Sequence, residues 1–139
     1  MNDPFDLARF IDAQDPVWPQ VLAELGRGRK QTHWMWFVFP QIAGLGRSAM
    51  AARYAISSRV EAEAYLAHPV LGPRLREATA LVNAVEGRSI AAIFGNPDDL
   101  KFRSSMTLFD AVEPDSMFAR ALDKYCDGAP DPATIALLA

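Results

Sequence analysis

What is scarce in this sequence narrows its reading first. A single cysteine, Cys126, excludes an internal disulfide and any cysteine-rich zinc site. A lone thiol near a helix end reads as structural before it reads as catalytic. Two histidines, His33 and His68, lie too far apart for metal-ligand spacing, and Asp98-Asp99 alone is thin support for a metal, so none is expected. No apolar run approaches the roughly 20 residues that cross a bilayer. Met1-Asn2-Asp3-Pro4 has no basic, signal-like start, and the expectation is a soluble cytoplasmic protein with no membrane partner. Positive charge is in deficit, with 14 Lys and Arg against 17 Asp and Glu, for a net -3. That balance disfavours nucleic acid as a partner and leaves only a local basic patch open. Phosphate-binding glycine loops, nucleotide fingerprints and nucleophile elbows are absent, and no cofactor is indicated.

What is present describes a globular chain. With 139 residues, 50% hydrophobic and 22% charged, it can bury one core as a single domain, 1–139. Asx-Pro pairs stand before apolar-periodic segments at Asp3-Pro4, Asp15-Pro16, Asn96-Pro97 and Asp131-Pro132. Each reads as an N-cap followed by proline at the first helical position, where a missing N–H costs nothing. Ser58-Arg59-Val60-Glu61 has capping-box spacing, with Val60 expected inward and Glu61 outward. The reading is an all-α, compact single-domain bundle of about seven to nine short helices without a disulfide.

Trp34 to Phe39 is ambiguous by period, since six consecutive apolar residues suit a buried strand as well as a helix. No second strand-like run is available to pair with it, and the expectation is a short buried helix ended by Pro40.

Two clusters carry more polar chemistry than a plain core needs. Around the aromatic run stand Lys30, His33, Trp34, Trp36 and Gln41. Aromatic planes stack on flat rings, an amide or imidazole reads ring edges, and a lysine holds an anion. The plain alternative is a core with a satisfied histidine and a solvated lysine. The second cluster runs from Asp98 to Thr107, where Ser104, Ser105 and Thr107 sit beside Lys101 and Arg103. Hydroxyls compete with the helix backbone, so their concentration near cations suggests an anion or polar-ligand site. The alternative is a hydrated face on which Asp99 and Arg103 form an i,i+4 pair.

His33-Trp34-Met35-Trp36-Phe37-Val38-Phe39-Pro40-Gln41, followed by Gly44-Leu45-Gly46-Arg47-Ser48 and Tyr54-Ala55-Ile56, resembles the domain-of-unknown-function 1810 family of small bacterial and fungal proteins. Tyr65-Leu66-Ala67-His68-Pro69-Val70-Leu71-Gly72, Ile93-Phe94-Gly95, Asp98-Asp99-Leu100-Lys101 and Ser104-Ser105-Met106-Thr107-Leu108-Phe109 extend the resemblance over nearly the whole chain. It implies a compact, mainly helical stand-alone protein and supplies no catalytic assignment. Phe102 stands where the family pattern leads one to expect leucine.

Three functions follow as expectations. The first is a site, binding or enzymatic, for a small anionic, flat-ringed, nucleotide-like ligand. In it Trp34 or Trp36 stacks, Lys30, Lys101 and Arg103 hold the anion, and Gln41, Ser104, Ser105 and Thr107 supply hydrogen bonds. His33 would be the general acid or base, with Asp98 or Asp99 next in line. This reading requires the two clusters to line one cavity. The second is an interaction module presenting Trp34, Met35 or Trp36 to a partner peptide. The third, nucleic-acid binding through Arg27-Gly28-Arg29-Lys30, is the weakest. Oligomeric state is not legible in the sequence.

Overall fold

The computed structural model describes residues 3–139; residues 1 and 2, the start of the segment read for a leader signal, lie outside the described residues. Its elements are α1 (Ala8–Gln14), α2 (Trp18–Gly26), α3 (Met35–Val38), α4 (Ala49–Arg53), α5 (Arg59–Ala67), α6 (Leu71–Ala84), α7 (Ile90–Phe94), α8 (Asp98–Val112), α9 (Met117–Cys126) and α10 (Pro132–Leu138). Among the described residues there is no strand, only an isolated parallel bridge between Ile42 and Ile56. The fold is all-α, and the aromatic run is the short helix α3. Among the described residues there are ten helices, of which α3, α4 and α7 are four or five residues long.

Helix α8 is the element around which the others pack, with α5, α7, α9 and α10 against it. Asp98 and Asp99 occupy its first turn, where they oppose the positive end of the helix dipole. From Ser104 to Phe109 every side chain is buried. That explains how the hydroxyls are tolerated: Ser104 Oγ shares its proton between the Leu100 carbonyl and the Asp131 carboxylate, and Thr107 Oγ1 donates back to the Arg103 carbonyl. The face expected to be polar is therefore interior at Thr107.

An aromatic cluster joins α3 and the residue after it to α7 and α8. Phe102 meets Phe39 edge-on at 5.1 Å and stacks on Phe94 at 5.0 Å, while Phe39 and Phe94 meet edge-on at 5.7 Å. Trp34 closes the group against Phe39 and Phe94. Such pairs add roughly 0.5–1.5 kcal/mol each beyond the area they bury.

The helix starts need correction. Only Asp131-Pro132 behaves as expected, with Asp131 accepting from the Thr134 N–H and proline in the first turn. Asp3 accepts from the N–H groups of Leu7 and Ala8, but the left-handed Asp6 delays the helix to Ala8. Asp15 is the C-cap of α1, its carboxylate is drawn to Arg74, and α2 starts after Val17. Pro97 is itself the N-cap of α8, and Asn96 donates to Asp99. Ser58 caps α5, but the inside and outside of its first turn are reversed: Val60 is 58% exposed and Glu61 is 2% exposed. The physical reason is Arg9, whose guanidinium lies 3.0 Å from the Glu61 carboxylate and draws it inward, while Glu61 also accepts from the N–H and hydroxyl of Ser57.

Phe102→Ala is expected to destabilise the fold by about 3–5 kcal/mol, and Phe102→Leu by less than half of that, because leucine refills much of the cavity. Denaturant unfolding of the three proteins checks the order.

Candidate functional site

The local structure of the site begins at Glu24, a residue the sequence reading did not single out. Helical phase puts it on the face of Val21 and Leu25, and its side chain is fully buried. A buried carboxylate needs donors. Glu24 receives them from the Gln31 N–H at 2.7 Å, the Thr32 N–H at 3.0 Å, the Thr32 hydroxyl at 2.6 Å, the Trp34 indole at 3.0 Å and the Gln20 amide at 2.8 Å. Burial alone would raise its pKa. The hydrogen bonds outweigh burial and hold the carboxyl at about 2, below the ordinary 4.5. The loop after α2 is thereby folded around one anion. Arg88 adds a hydrogen bond to the Gly28 carbonyl, and Arg27 reaches Gln31.

That loop delivers Lys30 to the start of α8. Its ammonium lies 2.9 Å from Asp98 Oδ2, donates to the Thr32 carbonyl at 2.6 Å, and sits 5.1 Å from the Trp34 ring centroid. Lys101, one turn into α8, is 3.6 Å from the other Asp98 oxygen and lies over the Trp36 ring, 5.1 Å from its centroid. Two cations thus share the Asp98 carboxylate, and with Asp99 in the same turn the charges of the group balance. The Lys30 side chain is 7% exposed and fully engaged, whereas Lys101 is 24% exposed on a longer ion pair. Lys101 is the more accessible of the two.

Trp36 has a second neighbour. The chain after α3 passes through the Ile42–Ile56 bridge, where the Ala43 N–H donates to the Ile56 carbonyl and the Ile56 N–H donates to the Gln41 carbonyl. Residues 43–55 form a flap closed at this neck, the geometry of an Ω-loop. Arg9 secures its returning limb through the carbonyls of Arg53 and Ala55. Helix α4, inside the flap, has no buried residue. Beneath it lies a pocket of about 240 Å³ lined by Trp36, Gln41, Tyr54, Ala51, Ala52 and neighbouring glycine backbone. In this wall Tyr54 is buried and Gln41 is half-buried.

The predicted residues therefore divide. Lys30, Trp34, Trp36, Asp98, Lys101 and, through the pocket wall, Gln41 come together. Arg103, Ser104, Ser105 and Thr107 do not join them. Arg103 donates to the carbonyls of Ala129 and Pro130, Ser104 to Asp131, and Thr107 accepts from the Asp131 N–H. The Ser105 hydroxyl is buried without a partner among the described residues. Arg103 is not paired with Asp99, which instead accepts from Asn96 and borders a separate groove with Cys126. Burial raises the Cys126 thiol pKa, which makes it less reactive. His33 is exposed, and no protein group among the described residues orients its ring. Trp34 and Met35 are core. Two residues that matter here escaped the sequence reading. Tyr54 enters the sequence analysis only through the family resemblance, and Glu24 not at all, although its phase with Val21 and Leu25 marks it as inward.

A small helical bundle with an aromatic segment pinned to the first turn of its central helix is the class that this fold and site define. The family model described as "Protein of unknown function (DUF1810)" matches residues 4–138, and the chain belongs to that family. Among solved structures it is similar to the conserved hypothetical protein Rv1873 from Mycobacterium tuberculosis, with 59% identity over 98% of each chain and a TM-score of 0.96. No curated protein matches the chain.

Glu24 binds fewer protons in the folded chain than in the unfolded one between its ordinary pKa of 4.5 and its folded value of about 2. Its contribution is present above that window and is lost as pH falls through it, an effect on the order of 2–3 kcal/mol. Glu24→Gln should lower stability near neutral pH by about 2–4 kcal/mol, because an amide cannot accept from all these donors. It should also flatten the acid limb. Urea midpoints from pH 7 down to pH 3 read both effects.

Proposed function

We propose that this protein binds a small, flat-ringed, anionic molecule of nucleotide-like character, with the ring under the 43–55 flap and the anionic group toward Lys101. The observation that carries the reading is the junction at Trp36, which lines the pocket and also lies beneath the Lys101 ammonium. Trp36 and Tyr54 offer apolar ring surface, and the Gln41 amide and Tyr54 hydroxyl offer hydrogen bonds at ring edges. A volume of about 240 Å³ lies below the roughly 300–1,000 Å³ of drug-sized sites, so the pocket suits a single ring system with its charged remainder outside. Apart from the Tyr54 phenol, the pocket wall has no ionisable side chain, and His33, the expected acid or base, is not among its residues. The reading is therefore of binding, with a cytoplasmic setting as part of the proposal.

The alternative, an aromatic groove for a partner peptide, has little to work with. Burial of Trp34 and Met35 leaves Trp36 as the aromatic anchor of that segment, and it is half-buried under Lys101.

A thermal-shift panel of nucleotides and aromatic carboxylates tests the proposal. A ligand at 100 times its Kd should stabilise the fold by about 2.7 kcal/mol. Lys101→Ala should weaken binding by about tenfold or more, the loss of one charge-assisted contact. Trp36→Leu should weaken it too, and His33→Ala should leave it unchanged. A broad panel with no shift, or a shift insensitive to Lys101 and Trp36, overturns the reading.

A further inference from the structure

Arg103, Ser104 and Thr107 gather polar groups at the root of α10. The Asp131 carboxylate accepts from the Ser104 hydroxyl at 2.9 Å, the Thr134 hydroxyl at 2.6 Å and the Thr134 N–H at 3.3 Å. The Asp131 N–H donates to Thr107 at 2.9 Å, and Arg103 holds the carbonyls of Ala129 and Pro130 at 3.0 and 2.8 Å. This is a clasp at one end of a short helix whose main neighbour is α8 and whose one fully buried residue is Thr134.

The other end of α10 reaches the flap. Leu137 is 46% exposed, too open to serve as a core residue, and its two methyls lie 3.3 Å from where a Cβ on Gly44 would stand. Gly44 has φ +106, lines the pocket, and follows the Ile42–Ile56 neck by two residues. From clasp to tip α10 spans about 10 Å at 1.5 Å per residue, so a polar fastening on α8 fixes the position of an apolar side chain on the flap.

We infer that α10 backs the flap without lining its pocket, and that Leu137, held in place by the Asp131 clasp and set against Gly44, limits how far the 43–47 limb can open and so the size of ring admitted. The consequence for ring size rests on the binding reading above; the restraint on the limb does not. Helix α4 buries nothing, and the flap's fastenings sit mainly on its returning limb, where Arg9 holds two carbonyls and buried Tyr54 packs on Phe10 and Phe37. The outgoing limb meets the core through half-buried Leu45. Removing Leu137 removes a contact on that outgoing limb, the side opposite Arg9.

The test uses the full chain and two readouts. By hydrogen exchange, Leu137→Ala should speed exchange at residues 43–46 by about tenfold while α6 amides stay unchanged, the signature of local rather than global opening. Asp131→Asn should loosen the same amides through the clasp. Ile135→Ala, an exposed apolar change on the same helix, should not. By titration, Leu137→Ala should raise the affinity for 2-naphthoate relative to benzoate. Unchanged exchange at 43–46 in both Leu137→Ala and Asp131→Asn overturns the inference, whichever ligands bind. So does an equal effect of Ile135→Ala. Faster exchange at 43–46 together with no binding of either acid by any of these proteins supports the restraint and overturns the proposed function instead. Faster exchange and binding with an unchanged preference between the two acids overturns the role of Leu137 in ring size.

Discussion

A carboxylate sealed from water is stable only if protein donors replace the solvent, and Glu24 imposes that condition on the chain after α2. Two backbone N–H groups, a hydroxyl and an indole from a segment without regular structure converge on it. The segment has no helix or sheet of its own to satisfy its backbone, so the anion serves as its template. Everything downstream inherits this placement. Trp34 is oriented by its indole N–H, the aromatic cluster packs on Trp34, and Lys30 is brought to the first turn of α8.

The electrostatics of that turn follow from the same arrangement. Asp98 would sit comfortably at a helix N-terminus alone, since the dipole favours it. Two lysines balance the two carboxylates of that turn, Asp98 and Asp99, and the more exposed of them, Lys101, stands beside an aromatic face and next to a pocket. An accessible cation thus stands at this turn on a chain whose total charge is -3. Net charge described the partners of the whole surface but not the potential at one turn of one helix.

Much of the fold was legible, and the misreadings have physical causes. The all-α class followed from punctuation and periodicity, and the aromatic run had to be helical once no partner strand existed. The Asx-Pro pairs were over-read because an Asx oxygen and a proline suit several turn geometries, and neighbours such as Asp6 and Arg74 decide which one forms. Val60 and Glu61 were assigned to the wrong sides because an arginine far away in sequence outweighs the polarity of a glutamate. The hydroxyls of α8 were noticed for a sound reason, their cost in a helix, but that cost is met by back-bonding and by Asp131. Of the candidate site, Lys30, Trp36, Asp98 and Lys101 were visible as residue types, and their juxtaposition was not, because it depends on the path of the loop that Glu24 shapes. Glu24 could have been found by asking which charged residue falls on the apolar phase of its helix.

The flap has a consequence for how such a protein can change over generations. Its wall is mostly backbone, alanine and glycine, its helix buries nothing, and its ends are fixed by hydrogen bonds between main-chain atoms that any sequence supplies. Side chains at Ala52 and Ala55 can therefore be exchanged with little penalty to the bundle beneath. Gly46 is the exception, since a Cβ there would stand 2.4 Å from that of Ala51. The scaffold and the lining are separable, so mutation can sample new pocket chemistry while the aromatic core and its glutamate stay constant.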